Sequence, residues 1–396
     1  MVPVKKAGKA VSRPIVSKAA IILSLRRRIA SGELSPGSRL PTQRALRREL
    51  NANIVTVGRA IDQLKADGFI ATEGARGTFV TAHPPHLFRY ALVFPSHPSD
   101  LSWPRNWEAL AKEAAAIQQE GTFDIPVYYD VDNENRGISV DCARLLGDVR
   151  AHRLAGVIFA SHPWVVKGTP LLDEPGIPRV AFMEPEPATY PNVASVTTAV
   201  EALIDRSLDY LASKGRKRLG IMTLPKIVGE HTETIRQKAA ARGLETRPYW
   251  TQSVSELYPI SARACVHVMM RSGQADRPDA LLITDDNLVE QATGGLLDAG
   301  VRAPKDVDVV VHCNFPWPTS SAVPVTRIGF DALHILKACI KSIDEQRLGG
   351  VIPSPVTIPA LFEDELSGFV AKSISSPPTS SVKDAVAPSK RRGRQS

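Results

Sequence analysis

The sequence has few cysteines and few aromatic residues, and it lacks a long apolar run. Its cysteines, Cys142, Cys265, Cys313 and Cys339, stand far apart and show neither a CxxC motif nor the Cys/His spacing of a zinc site. This pattern excludes a disulfide framework and predicts reduced thiols. The apolar run "AAIILSL" is too short to span a membrane, and "RRR" follows it in place of a small-residue cleavage site. We therefore expect a cytoplasmic protein with no metal site, no cofactor and no membrane partner.

Positive charge is concentrated at the two ends of the chain. Residues 1–81 carry 15 lysines and arginines against 5 acidic residues, and residues 367–396 carry 6 against 1. Residues 82–366 carry 28 basic residues against 35 acidic ones. A compact basic segment on a mildly acidic body is typical of a nucleic-acid-binding module, because cations beside phosphates release condensed counterions. A basic surface that is merely solvated is the alternative interpretation.

Three helical segments and a hairpin follow a basic leader at residues 1–16. Apolar residues recur at helical spacing from Ser17, and Thr42 is a good N-cap for the second helix. The apolar residues of the third helix fall on one stripe: Ile54, Val57, Ile61 and Leu64. Two short strands, "FIAT" and "TFV", then enclose "EGARG". This order predicts an α+β winged helix-turn-helix over residues 17–81, whose second motif helix enters the major groove of DNA.

Beyond a proline linker at residues 82–88, short apolar strands alternate with amphipathic segments as far as residue 366. Examples are "YALVF", "AGVIFA", "RVAFM" and "DALLIT". Near-continuous apolar strands separated by helices predict parallel sheets covered on both faces, so residues 89–366 are expected to form an α/β domain. That length suits two lobes with a cleft between them, and such folds bind ligands at the carboxyl ends of their strands. Residues 367–396 are expected to be a disordered basic tail.

The stretch from Ile29 to Val80 resembles the GntR-type winged helix. The passages "GELSPGSRLPTQRALRREL", "TVGRAIDQLKADGF" and "GARGTFV" match that family's glycine, proline, arginine and strand positions together. The resemblance implies that Arg44 contacts phosphate or base, that the start of the third helix faces the groove, and that residues 74–77 form the wing tip. The predicted DNA-binding residues are Arg44, Asn53, Thr56, Arg59, Gly74, Arg76 and Gly77.

Two positions depart from that family's pattern. Ile54 and Gly58 stand where its members often carry arginines. Bidentate arginine to guanine is the commonest specific contact, so the usual base-reading cations are missing here. We therefore expect Arg76 at the wing tip to carry a larger share of the affinity than a wing normally does. Arg47 and Arg48 are better suited to phosphates than to reading sequence.

Residues 89–366 resemble the ligand-binding region of LacI/GalR-type regulators, which is similar to type I periplasmic sugar-binding proteins. The resemblance is carried by "GIPRVAFMEPEPATYPNVASV", "LDYLASKGRKRLGIM" and "RPDALLITDDNLVEQATGGLLDAGVRAPKDVDVVV". It implies a two-lobed periplasmic-binding-protein-like domain that binds a small, carbohydrate-like molecule between its lobes. It also implies hinge crossings near Val196, near residues 315–325 and near Val351.

The same resemblance points to ligand-binding residues. Asp285 and Asp286 fall at or beside an acidic ligand contact, and a carboxylate accepts two sugar hydroxyls. His231 stands where that family usually has an arginine, and Cys313 and Asn314 stand where an acidic pair is common. Four further candidates for stacking on a ring follow the first and third strands: Trp103, Trp107, His162 and Trp164. For the tryptophans, packing within a lobe is an equal alternative.

These features predict a transcriptional regulator whose homodimer binds double-stranded operator DNA, with repression relieved by the effector. Activation is an open alternative, as is a degenerate pocket under the control of a protein partner. An enzyme fused to a DNA-binding domain is a further alternative, but the sequence has no GxSxG, HExxH, P-loop or dinucleotide motif, and no catalytic residue is predicted. A transport binding protein is disfavoured by the basic first domain.

Overall fold

The computed structural model describes residues 16–30, 32–121, 123–132, 139–225, 230–274, 276–349 and 351–366. The predicted basic tail and almost all of the predicted leader lie outside these residues. In the described part of the chain, no helix is both long enough and apolar enough to cross a membrane.

The first domain contains three helices and a hairpin. They are α1 (Lys18–Ala30), α2 (Gln43–Glu49), α3 (Ile54–Ala66), β1 (Ile70–Thr72) and β2 (Thr78–Val80). The strands pair antiparallel, with Ile70 opposite Val80. The apolar faces of the helices meet in one core, which includes the buried side chains of Ile21, Leu25, Leu46, Val57, Ile61, Leu64 and Phe69. Since α2 and α3 pack on α1 through that core, their polar faces are left toward solvent.

Helices and strands then alternate along the rest of the chain. Up to the first change of lobe they are α4 (Pro85–Phe88), β3 (Tyr90–Val93), α5 (Arg105–Glu120), β4 (Val127–Tyr128), α6 (Val140–Arg150), β5 (Gly156–Phe159), α7 (Pro170–Asp173), β6 (Arg179–Phe182) and β7 (Ala194–Thr198). Beyond it they are α8 (Val200–Ser213), β8 (Leu219–Thr223), α9 (Glu230–Ala240), β9 (Thr251–Ser253), α10 (Ile260–Met270), β10 (Ala280–Ile283), α11 (Val289–Asp298), β11 (Asp308–Phe315), β12 (Thr326–Asp331), α12 (Ala332–Gly349), β13 (Val356–Ile358) and β14 (Leu361–Phe362).

Two six-stranded sheets define two lobes. The first lobe has the strand order β13-β7-β6-β5-β3-β4, and all its neighbouring strands are parallel. The second has the order β14-β12-β11-β10-β8-β9, in which only the β12–β14 pair is antiparallel. Strands β3, β5, β8 and β10 are buried along their whole length, as expected for sheets with helices on both faces.

In the described residues the chain passes between the lobes three times: after β7, between β12 and α12, and between β13 and β14. The crossing expected near Val196 follows β7. The crossing expected near residues 315–325 is wrong, because that segment joins β11 to β12, which are neighbours in one sheet. The crossing expected near Val351 lies further along, beyond β13. The return to the first lobe is made by α12, which packs so closely on β5 that a Cβ atom at Gly156 would lie 2.5 Å from Ile343 Cγ2.

Candidate DNA interface and interlobe cleft

A basic concave surface lies between α2 and the start of α3. It encloses about 650 Å³ and is lined by Thr42, Gln43, Arg44, Arg47, Arg48 and Ile54. We call this surface the α2 basic face. Thr42 caps α2, since its Oγ1 accepts a hydrogen bond from the backbone N–H of Ala45 at 3.2 Å. The capped helix holds its three arginines, which are all exposed, on the outer side of the domain.

Asn53 has a local structural role in addition to its predicted one. It is the N-cap of α3, and its Oδ1 accepts a hydrogen bond from the backbone N–H of Val55 at 2.9 Å. Its side-chain NH₂ group points to no partner among the described residues and stays available as a donor. The cap fixes the first turn of α3, so the side chains of that turn have defined directions.

The first turn of α3 presents apolar side chains to solvent. Ile54 and Val55 are both exposed, whereas Val57, Ile61 and Leu64 are buried. The prediction that Ile54 lies on the core stripe is therefore wrong, because the helix begins at this residue and its side chain projects beyond the edge of the core. Thr56 is half-buried on the same turn, and Arg59 is exposed one turn later.

The wing is a tight turn that carries Arg76 at its tip. Gly74 has φ +51° and Gly77 has φ +119°, both in the region that favours glycine. A Cβ atom at Gly77 would lie 2.8 Å from Arg39 Nε, so a second arginine rests against the base of the wing. The Arg76 side chain is 78% exposed and forms an ion pair with Glu73 at 2.7 Å. The glycines therefore allow both the turn and the close approach of Arg39.

A cleft of about 250 Å³ lies between the lobes, at the carboxyl ends of strands from both sheets. Its lining includes Pro104, Asn106, Phe182 and Thr198 from the first lobe and Leu203, Ile204, Glu256, Thr284, Asp285, Asp286, Asn287, His312, Asn314 and Phe330 from the second. Apolar side chains line the cleft from both lobes, and the side formed by β10 and β11 carries most of the polar groups. Three of the predicted ligand residues meet here: Asp285, Asp286 and Asn314.

Asp286 is the most buried polar group of the cleft, with 2% of the residue exposed. Its Oδ2 accepts a hydrogen bond from Asn314 Nδ2 at 2.8 Å, and its Oδ1 lies 3.9 Å from His312 Nδ1. Burial raises the pKa of the Asp286 carboxyl, and the charge of Asp285 adds to the rise, whereas His312 and Asn314 oppose it. A buried carboxylate with one hydrogen-bond donor retains capacity for further donors.

The described lining of the cleft is acidic. It contains Asp285, Asp286 and Glu256 and neither lysine nor arginine. Asp285 Oδ1 accepts from the backbone N–H and the side-chain Nδ2 of Asn287, at 3.0 and 2.7 Å. In the part of the chain that the structure describes, three or more His, Cys, Asp or Glu side chains do not gather into a group suited to a metal ion. The chemistry available here is the acceptance of hydrogen bonds from a small molecule.

The ring-bearing candidates are absent from the described lining of the cleft. Trp103 and Trp107 pack with Phe94 and Tyr129 at ring distances of 5.0–5.8 Å, and Trp107 Nε1 donates to the carbonyl of Ala160. Both tryptophans therefore pack within the first lobe, which was the alternative to stacking on a ligand.

The other two candidates lie after β5. His162 Nε2 is 2.9 Å from Glu186 Oε1, and its ring lies edge-on to Tyr190. Trp164 is exposed on the short 3₁₀ turn that follows. His231 belongs to α9, but its side chain lies outside the described residues.

Val55 lies at the start of α3, which was expected to face the groove. The residues of these sites that were missed from the sequence include Arg39, Glu256 and His312. Arg39 comes from the irregular segment before α2, which lies against β2 through an isolated bridge between Arg39 and Phe79 and through backbone hydrogen bonds on either side of it. His312 ends a run of valines in β11, and nothing local distinguishes it from a core histidine.

Two family models match separate parts of the chain. Residues 11–80 match the bacterial regulatory proteins of the gntR family, and residues 208–360 match the periplasmic binding protein-like domain. The HTH-type transcriptional regulator Rv1152 of Mycobacterium tuberculosis is 39% identical over 57 residues, which are 14% of this chain and 47% of that protein. The match thus spans about half the length of this curated relative.

Solved structures share the fold of the second domain. A transcriptional regulator LacI from Bacillus cereus has a TM-score of 0.50 at 15% identity, over 69% of this chain and 96% of that one. A LacI family transcriptional regulator from Bifidobacterium animalis has a TM-score of 0.50 at 14% identity, over 69% and 95%. The predicted fold class is confirmed. The chain carries a winged helix-turn-helix domain of the gntR family of bacterial regulatory proteins, followed by a two-lobed periplasmic-binding-protein-like domain.

Proposed function

We propose that this protein is a transcriptional repressor that binds operator DNA and is released by a small molecule held in the interlobe cleft. The observation that carries the proposal is the joining of two sites in one chain: a basic winged helix and a cleft between two α/β lobes. Repression follows from a bound protein that blocks polymerase without a further contact. Operator binding also implies that the protein acts in the bacterial cytoplasm, where the DNA is.

The DNA contacts divide by chemistry. Arg44, Arg47 and Arg48 of the α2 basic face suit phosphates, which position the domain without reading sequence. The exposed Ile54 and Val55 suit thymine methyl groups in the major groove. This division predicts that sequence is read by apolar contacts and by the free NH₂ of Asn53, and that affinity comes mainly from arginines.

The charge of the cleft narrows the class of effector. Carboxylates accept hydrogen bonds from hydroxyls and ammonium groups and repel anions, and neither lysine nor arginine is among the described residues that line the cleft; Arg105 acts on Asp286 from outside that lining. The apolar side chains of the lining, such as Phe182 and Phe330, suit the carbon face of a ring. We therefore favour a neutral or amine-bearing carbohydrate-like effector over a uronate or a sugar phosphate.

A homodimer is supported by an exposed apolar stripe on the second lobe. Ile260, Ala264 and Val268 recur at four-residue spacing on the outer face of α10, preceded by the exposed Leu257 and Tyr258. Contiguous exposed apolar residues mark interaction sites in soluble proteins. A second copy of this chain is the occupant that a regulator needs, since two winged helices then reach two half-sites of one operator.

The operator claim is tested by gel shift of the full chain on DNA from its own promoter region, with salt as a variable. Specific binding that weakens linearly in log salt is expected. Equal affinity for unrelated duplexes at every salt concentration would contradict the operator claim.

The effector claim is tested by thermal shift with four molecules of one scaffold: glucose, glucosamine, glucuronate and glucose 6-phosphate, and then with the same four forms of galactose. Stabilisation by a neutral or amino sugar is expected, and it should disappear in Asp286→Ala while DNA binding persists. A larger shift with the anions would refute the charge argument. If none of the glucose or galactose forms raises the melting temperature, a degenerate pocket is favoured.

A further inference from the structure

Asp67 joins the DNA-binding domain to the first lobe. It is the C-cap of α3, and its side chain is 3% exposed. Its carboxylate forms ion pairs with Arg26 of α1 and with Arg153 of the first lobe, the latter at 3.0 Å. Gln63 Nε2 also donates to it at 3.0 Å. A buried carboxylate at the end of α3, the recognition helix predicted to enter the major groove, is thus bound by cations from two domains.

The contact continues into the first lobe. Arg153 Nε donates to Asp148 Oδ1 at 2.6 Å, and the hydroxyl of Tyr128 donates to Asp148 Oδ2 at 2.5 Å. Tyr128 is buried in β4, and Asp148 is buried on α6. We call the series Arg26, Asp67, Arg153 and Asp148 the Asp67 relay. It connects α1 and α3 to the sheet of the first lobe through charge-assisted hydrogen bonds, which are the stronger class.

A second contact lies beside the relay. The ring of Phe69 stacks on that of His86 at 5.5 Å and 12°, and Phe69 is fully buried. His86 lies in α4, within the segment predicted to be a proline linker. Arg347 of α12 donates to the carbonyl of His86 at 3.1 Å and forms an ion pair with Asp344. The segment is therefore packed on both sides instead of forming a free tether.

We propose that the Asp67 relay and the Phe69–His86 stack lock the recognition helix onto the first lobe, so that these two parts move as one body. A rotation of the DNA-binding domain away from the first lobe would separate Arg153 from Asp67 and expose the stacked rings. Closure of the cleft would then move the second lobe against this body and change the spacing of the two winged helices in a dimer. Only this regulatory consequence rests on the proposed function; the lock itself does not.

The lock is tested on the full chain without DNA or effector, by hydrogen exchange of residues 81–89. Arg153→Gln removes the bridge between domains and leaves Arg26 and Gln63 on Asp67. We expect about tenfold faster exchange in this segment, the factor that 1.4 kcal/mol of lost contact produces. Arg153→Lys keeps the charge and should restore part of the protection. The control is Arg150→Gln, which removes an exposed arginine from the last turn of α6 and should leave the exchange unchanged.

A double variant separates coupling from general destabilisation. Asp67→Asn and Arg153→Gln both remove the contact between Asp67 and Arg153, and each also removes one other ion pair, so the double variant should exchange more slowly than the sum of the two single effects predicts. Additive effects, or wild-type exchange in Arg153→Gln, would overturn the proposal. If exchange changes as expected but the protein does not bind an operator specifically, the contact between domains is supported and the proposed function is refuted. If operator binding holds, Arg153→Gln should also reduce the effect of effector on DNA affinity.

Discussion

Removal of the wing cation should change the salt dependence of DNA binding in a defined way. In Arg76→Ala, the wing keeps its glycines and its pairing but loses the charge at its tip. Each phosphate contact contributes about 0.9 to the slope of log affinity against log salt, so the slope should fall by that amount. We expect the affinity itself to drop about fivefold at moderate salt, corresponding to ~1 kcal/mol for an exposed charge contact.

The change in slope makes the ratio of wild-type to variant affinity depend on salt. Between 50 and 200 mM salt, a slope difference of 0.9 changes the ratio of wild-type to variant affinity by about 3.5-fold. The loss in Arg76→Ala should therefore be largest at low salt. Fluorescence anisotropy with a labelled duplex from the promoter region, at five or more salt concentrations, resolves this difference.

The free protein supplies two matched variants. Glu73 holds Arg76 in an ion pair at 2.7 Å, and its carboxylate would lie near the DNA backbone, so Glu73→Gln should raise the affinity. Arg144 forms an ion pair of the same i, i+3 spacing with Asp141, at 3.3 Å, on the first lobe. Arg144→Ala should leave both affinity and slope unchanged. An unchanged slope in Arg76→Ala would refute the contact and leave Arg76 a solvated loop residue.

Three further predictions concern the second domain and the interface between domains. Burial raises the pKa of the Asp286 carboxyl, so the wild-type protein loses stability as the pH rises through that pKa. Asp286→Asn should therefore stabilise the effector-free protein at pH 7, as measured by its melting temperature. Val268→Glu should dissociate the proposed dimer in sedimentation experiments, whereas Leu348→Glu, at a still more exposed position on α12, should not. Burial and Arg347 lower the pKa of His86 to about 4, so the wild-type protein should lose stability as the pH falls from 6.5 to 4. The loss at pH 4 is roughly 3 kcal/mol, and His86→Phe should not show it in urea unfolding.

The fold was largely predictable because its signals are local. The winged helix is specified by the caps, glycines and apolar spacing of a short continuous stretch, and the lobes by runs of apolar strand residues. The misplaced hinge came from the family resemblance. β12 reads "TRIGFD", a partly polar strand, and its pairing with β11 has no local signal that would have corrected the position.

The candidate site was predictable only where a strand ends in polar residues. Asp285, Asp286 and Asn314 follow apolar runs of β10 and β11, so the parallel sheet brings them to one edge. Trp103 and Trp107 also follow a strand, but their rings turn into the lobe, which sequence does not reveal. The Asp67 relay was out of reach, because Asp67 and Arg153 are 86 positions apart and each resembles an ordinary surface charge.

The path of the chain also sets the order in which the protein can be completed during synthesis. The core of the DNA-binding domain ends at Val80, but the first lobe lacks α12 and β13 until residue 358 has been made. At about 5–20 residues per second, this interval is roughly 15 to 55 seconds. For that time the winged helix has all its own core residues, while the lobe that carries Arg153 is unfinished. A nascent chain therefore acquires its DNA-binding surface well before it acquires the parts that would regulate it.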